Sequence, residues 1–246
     1  MEIMPHLKLP VDLGIRYAIL PGDPARVDRI AKFLENPREL AFNREYKSLW
    51  GTYKGVPILA LSTGIGGPST GIAAEELARM GVKAAIRIGS CGALQKNIHL
   101  GDLILVQGAV RDEGTSKTYL DPIYPAVPDY ELLTACVEAA REKKFSAHVG
   151  LARSHDSFYT DREDEIDAYW SGQGVLGADM ETAALFVIGR LRGMKTASIL
   201  NTVVEYEENL EENINSYSDG ASLTMRGEEH EILTALEACY KIEQAE

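Results

Sequence analysis

An α/β fold, with a mostly parallel mixed central sheet flanked by helices on both faces, is what this sequence predicts. Three observations lead there. Short apolar runs rich in β-branched residues recur along the chain, helical periodicities fill the intervals, and glycine-rich turns stand where strands end. Runs that are apolar throughout belong in strands covered on both faces, the setting of parallel sheets, in which ligands sit at the carboxyl ends of strands.

The first strand is Tyr17–Leu20. A helix over Pro24–Leu34 follows, with Asp23 placed to cap it and Pro24 suited to its first turn. Val56–Ser62 is the next strand, and the glycines after it turn into a helix over Ser69–Met80. Ala84–Gly89 is a strand with an arginine in its middle, and Leu103–Val110 a strand of ordinary apolar composition. The helix Asp129–Lys144, the strand His148–Arg153, the helix Met180–Leu191, the strand Ala197–Val204 and the helix Glu228–Lys241 complete the series. Each helix carries apolar residues three and four apart. No internal repeat, low-complexity tract or Pro/Ser-rich linker divides the chain, so residues 1–246 read as one domain.

Acidic residues number 37 against 25 basic, for a formal charge of −12, which argues against nucleic acid or an anionic membrane as partner. Any bound anion must be held by a local cluster of positive groups. The three cysteines are far apart in sequence with no CxxC pair, so neither a disulfide framework nor a zinc site is expected. The first ten residues lack a signal-peptide pattern and no apolar run approaches a membrane span, so a soluble cytoplasmic protein is expected. Glu205–Glu212, with Glu at five of eight positions, reads as a solvated loop or helix face, or as a mobile lid beside a site.

Four segments carry chemistry. In ILPGDPARVDRI (19–30) a strand ends in Pro-Gly-Asp-Pro at a helix start, where free N–H groups favour an anion, Gly22 permits close backbone approach and Arg26 lies one turn on. In AIRIGSCGAL (85–94) an arginine sits inside an apolar strand. Arg87 cannot lose its charge and is costly to bury alone, so it needs a carboxylate or a bound anion, and Ser90 adds a hydroxyl at the strand end. STGIGGPSTGIAAEELA (62–78) is a glycine-rich turn with no following lysine, which excludes a triphosphate-binding P-loop. In GADMETAAL (177–185), Asp179 or Glu181 could accept hydrogen bonds from two sugar hydroxyls or merely complement the helix dipole, and Met180 could pack on a sugar face.

Taken together and in order, PGDPARV, NREYKS, STGIGGPSTGIAAEELA, RIGSCGAL, EGTSKTY with PAVPDYE, DSFY and DMETAAL resemble the nucleoside phosphorylase family of uridine phosphorylases and hexameric purine nucleoside phosphorylases. The resemblance runs from about His6 to about Val204. It implies phosphate-dependent cleavage of a nucleoside, with inorganic phosphate as co-substrate and no cofactor required. The phosphate ligands it implies are Gly22, Arg26, Arg87 and Ser90, with Arg44 supplied by a neighbouring subunit. Met180, Glu181 and an imported His6 would hold the ribose, so the minimal active unit would be a dimer and the assembly a hexamer. Arg87 and Glu181 carry the catalytic roles.

The base side falls to Cys91, Phe158, Arg162 and Glu205. Here the chain departs from both branches of the family. Uridine enzymes carry Gln and Arg shortly after FY, where this chain has Arg162 and Asp164; purine enzymes protonate the base with an aspartate after the last sheet strand, where this chain offers Glu205. The STGIGGPST and EGTSK wording leans to uridine, while the short spacing from Tyr159 to Met180 leans to purines. The whole-chain wording tips the expectation to a uridine-type enzyme. Some uridine phosphorylases also hold a monovalent cation between subunits through residues matching Glu45, Ile65 and Ser69, which leaves a potassium site open. The competing classes are a nucleoside hydrolase, for which a three-arginine cradle is superfluous, and a non-catalytic nucleoside-binding protein.

Overall fold

The structure is a computed structural model, and it describes residues 2–208 and 222–245. In chain order its elements are β1 (Tyr17–Pro21), α1 (Pro24–Ala31), β2 (Glu35–Asn43), β3 (Tyr46–Tyr53), β4 (Val56–Leu61) and α2 (Gly67–Arg79). Then come β5 (Ala84–Ala93), β6 (Leu103–Asp112), α3 (Thr115–Tyr119), α4 (Tyr130–Glu142), β7 (Ala147–His155) and α5 (Glu163–Gly172). The last are β8 (Gly177–Asp179), α6 (Thr182–Leu191), β9 (Lys195–Val204) and α7 (Ser222–Ala245). Of the acidic segment 205–212, residues 209–212 lie outside the described residues.

The nine described strands join one sheet in the order β2-β3-β4-β1-β5-β8-β7-β6-β9, and β9 pairs back onto β5. Strands β5, β8, β7, β6 and β9 thereby close a ring, from which β1, β4, β3 and β2 extend as an open wing. The sheet is less parallel than the sequence suggests. Strands β2–β3, β3–β4, β5–β8 and β6–β9 pair antiparallel, against five parallel pairings.

Burial on both faces follows from the two-residue period of a strand. Tyr17, Ile19, Ile58, Ala60, Ile86 and Ile88 pack on one face with Val27 of α1, Leu132 of α4 and Leu236 of α7. Their neighbours Ala18, Leu20, Leu59, Leu61 and Ala85 pack on the other with Leu77 of α2 and Leu185 of α6. A third cluster, including Cys91, Ile104, Val106, Ala152 and Phe186, lies against the ring. No helix among the described residues is long and apolar enough to cross a membrane.

Every strand and helix read from the sequence is present, and five further elements had no apolar signature to find. β2 is exposed along most of its length, with Pro37 inside it and Asn36 at φ +50°. As an edge strand it buries no residue fully, and only Leu40 and Ala41 lean on the core. α5 buries no residue, so it carries no apolar stripe, while β8 and α3 are only three and five residues long. β3 carries its polar and apolar residues in no strict alternation and has Gly51 near its end, so it is recognisable chiefly by its pairing with β4.

Candidate active site

The carboxyl ends of β1, β5 and β8 converge, and each delivers one of the sequence-predicted segments. After β1, Asp23 caps α1 by accepting from Ala25 N at 2.8 Å. Gly22 is approached by backbone: Gly64 N donates to Gly22 O at 3.0 Å, and a Cβ at Gly22 would stand 3.1 Å from Gly64 O. The PGDP turn and the STGIGG turn thus stack on each other, and a side chain at Gly22 would press on the backbone of the second.

Arg87 is 4% exposed in the middle of β5 and finds the carboxylate partners its burial demands. Its Nε donates to Asp179 Oδ2 at 2.9 Å and its Nη2 lies 2.5 Å from Glu181 Oε2. Its Nη1 is buried and has no hydrogen-bond partner among the described residues. Burial works against the charge of Arg87, but Glu181 and Asp179 outweigh it and hold the guanidinium above its ordinary pKa, while Arg26 pushes the other way. Gly89 is part of this arrangement, because any Cβ there would collide with the Arg87 guanidinium.

The two carboxylates of GADMETAAL divide their work. Asp179 is consumed internally: it accepts from Arg87 Nε, Ser154 Oγ, Thr182 Oγ1 and Thr182 N, the last at the first residue of α6. Glu181 instead accepts from Gly66 N at 2.5 Å and so closes the N-terminus of α2, whose cap residue Gly66 has φ +105° and no side chain to offer. That bond explains the glycine-rich turn, which brings a backbone N–H to the carboxylate. Burial, opposed by Arg87, pushes the Glu181 carboxyl up. Met180 is half-buried beside it and donates its N–H to Glu181 Oε2 at 3.3 Å.

Arg26 is buried and bound to the last helix. Its Nε donates to Glu228 Oε2 at 2.9 Å, its Nη2 donates to Ser90 Oγ at 3.1 Å, and its Nη1 lies 3.2 Å from Glu231 Oε1. Glu231 also accepts from Gly89 N at 3.0 Å, so one side chain of α7 braces both the arginine and the turn after Arg87. Sequence reasoning missed Glu228 and Glu231. Their signal was two acids three residues apart on the stripe of Ile232, Ala235 and Leu236, where helical spacing puts them inside.

Burial pushes the Glu231 carboxyl up to about 8, against the pull of Arg26. A carboxyl that stays protonated when folded but ionises near its ordinary value when unfolded stabilises the fold at low pH, and that contribution is lost as pH rises towards the folded pKa. Melting temperatures of the wild type are therefore expected to fall more steeply between roughly pH 5 and pH 8 than those of Glu231→Gln. Parallel slopes would show that Glu231 is ionised throughout.

Two predicted residues stand apart from this cluster but next to each other. Arg44 is exposed at the tip of the β2–β3 hairpin with φ +56°, and its guanidinium has no hydrogen-bond or ion-pair partner among the described residues. His6 is held by its own chain: its ring Nδ1 lies 2.7 Å from Glu76 Oε1, its backbone N–H contacts the same carboxylate, and Asn43 Nδ2 donates to its carbonyl at 2.7 Å. No hydrogen bond joins His6 or Arg44 to Arg87, Ser90 or Glu181. Glu76 was also missed; its signal was an acid inside the buried stripe of α2.

Glu45 and Ser69 flank one point: a Cβ on Gly64 would meet Glu45 Cγ at 2.8 Å and Ser69 Oγ at 3.3 Å. The Ile65 side chain is exposed.

On the base side, a cavity of about 700 Å³ opens beside the ends of β5 and β9, lined by Gly92, Phe158, Asp164, Val204 and Glu205 among others. Glu205 also accepts from Leu100 N at 3.0 Å and pairs with His99. Two base-side candidates do not line the cavity. Arg162 faces solvent and is paired with Glu165 one helical turn on. Cys91 points into the core, where burial pushes its thiol up to about 12.

With this geometry in hand, likeness to known proteins is decisive. A family model described as the phosphorylase superfamily matches residues 16–222. The chain belongs to the phosphorylase superfamily. It is 43% identical over 199 residues to a guanosine phosphorylase of Halorubrum lacusprofundi, covering 81% of this chain and 82% of that one. A solved uridine phosphorylase of Vibrio fischeri is 46% identical with a TM-score of 0.91, covering 98% of both chains. A purine nucleoside phosphorylase of Toxoplasma gondii, solved with immucillin-H, is 32% identical with a TM-score of 0.91, covering 100% of this chain and 98% of that one. These likenesses bear out the α/β fold and the nucleoside phosphorylase class expected from the sequence.

Proposed function

We propose that this chain cleaves the N-glycosidic bond of a ribonucleoside with inorganic phosphate, giving free base and ribose 1-phosphate. The observation that carries this is Arg87 Nη1, a buried cationic donor without an acceptor in a cluster that also holds Arg26 and Ser90. A buried N–H of a charged group left unpaired is costly, and a phosphate oxygen satisfies it. Breaking the bond develops positive charge on the ribose, so phosphate held there stabilises that charge and then bonds to C1′ as the base leaves with the electron pair of the C1′–N bond. Arg26 and Arg87 orient the phosphate, while Glu181, fixed by Arg87 and Gly66, accepts sugar hydroxyls.

Arg44 and His6 supply a neighbouring copy in this proposal. The hydrogen bond from Asn43 to His6 keeps the hairpin tip and the N-terminal segment side by side, so a single surface presents both residues. A homodimer is the minimal active unit and a hexamer the full assembly, of one-domain chains in the cytoplasm. Glu45, the Ile65 carbonyl and Ser69 offer hard oxygen donors beside Gly64, a set that fits a potassium ion bridging subunits. Overall similarity leans towards uridine as substrate; a purine nucleoside is the second reading, favoured by the guanosine-cleaving relative and by the acidic lining of the base cavity.

Following base release from uridine, thymidine, inosine and adenosine with and without phosphate tests the proposal, since release that ignores phosphate would refute it. Within it, Glu181→Gln is expected to lower kcat by about 10²-fold, because an amide supports the developing positive charge less well. A loss seen solely as weaker phosphate affinity would remove Glu181 from the ribose.

A further inference from the structure

The described lining of the base cavity has a single sign of charge. Glu163, Asp164, Asp167 and Glu205 line it together with Phe158, and no lysine, arginine or histidine is among the described residues that do. Glu163 and Asp167 are four residues apart on α5, so helical spacing puts both on the cavity face. Behind them lies Arg153 of β7, 4% exposed. Its Nε donates to Asp112 at 2.8 Å, and its Nη1, 3.9 Å from Asp167 Oδ1, closes no hydrogen bond. Glu163 Oε2 and Asp167 Oδ1 are likewise buried without a donor. Part of the cavity wall is therefore a pair of carboxylates, each with one solvent-shielded oxygen that no donor satisfies, backed by a buried cation. Burial pushes both carboxyls up, and Arg153 opposes it in each.

Acceptors on the wall require donors on the ligand. Uracil places one ring N–H between two carbonyl oxygens, so a carboxylate drawn to that N–H meets two sets of lone pairs. A 2-amino-6-oxopurine places its ring N–H and its exocyclic amino group side by side, and both can donate to one carboxylate in a bidentate pair. Phe158 supplies an aromatic face against which a purine can stack. We propose that Glu163 and Asp167, positioned by Arg153, are the specificity-determining residues of this enzyme and select a guanosine-type nucleoside. This rests on the phosphorolysis proposed above and departs from the uridine lean, because overall similarity follows the scaffold whereas base choice follows the few groups at the base edge.

The test compares guanosine, inosine and uridine in phosphate-dependent base release. Inosine differs from guanosine by the 2-amino group alone, and its kcat/KM is expected to be roughly 10- to 100-fold lower, with uridine lower still. In Glu163→Gln and Asp167→Asn, whose amides present a donor as well as an acceptor, the guanosine-to-inosine ratio should fall by about 5-fold or more. Inosine or uridine cleaved as well as guanosine by the wild type would overturn the assignment while leaving phosphorolysis intact. An unchanged ratio in both folded variants would overturn it too. No phosphate-dependent release from any nucleoside would refute the parent proposal, and this one with it.

Discussion

Arg87→Ala is expected to abolish phosphorolysis, with a loss of about 10³-fold or more in kcat/KM for phosphate. The guanidinium is buried, spends two of its nitrogens on Asp179 and Glu181, and keeps the third without a partner. Alanine removes the proposed phosphate donor and the group that orients Glu181 in one change. It also leaves two buried carboxylates without their cation, which costs roughly 3–5 kcal/mol of stability. Arg87→Lys separates these effects, since an ammonium keeps the charge but cannot form the planar fork. It is expected to restore most of the stability and little of the activity. Near-normal phosphorolysis in a folded Arg87→Ala chain would remove Arg87 from the reaction.

Chains carrying Arg44→Ala and chains carrying Arg87→Ala are expected to be inactive separately and active when mixed. Arg44 sits on an exposed hairpin with its guanidinium unpaired within its own described chain, whereas Arg87 is buried at the centre of the cluster. If Arg44 serves a partner's phosphate, a mixed dimer holds one site with both lesions and one with neither. Refolding the two variants together gives about half mixed dimers, each with one intact site of two, so recovery near a quarter of wild-type activity is expected from isologous symmetry. Mixed dimers verified by mass spectrometry yet inactive would show that Arg44 acts in its own chain or not at all.

What was legible in the sequence follows from what each residue must satisfy. Arg87 could be read because a charge inside an apolar strand demands a partner. The strand–helix frame could be read because burial on both faces leaves continuous apolar runs. Glu231 was harder: its partners Arg26 and Gly89 are about two hundred and one hundred and forty residues away, and no local rule joins them. Arg162 was misleading for a related reason. It stands where uridine enzymes read the base, yet on α5 the residue that pairs with it, Glu165, holds it on the solvent side, while Glu163 and Asp167 turn inward. α5 buries nothing completely, so its orientation left no apolar trace. Cys91, expected on the base side together with Phe158, Arg162 and Glu205, turns instead into the core, with Thr202 Oγ1 3.9 Å from its Sγ.

The most direct test of the account is the identity of the sugar product. With purified enzyme, a cleaved nucleoside and phosphate, phosphorus NMR should show one ribose 1-phosphate formed for each base released, and release should stop when phosphate is omitted. Free ribose accumulating with phosphate unconsumed would contradict the account, because Arg26 and Arg87 would then hold something other than the attacking group.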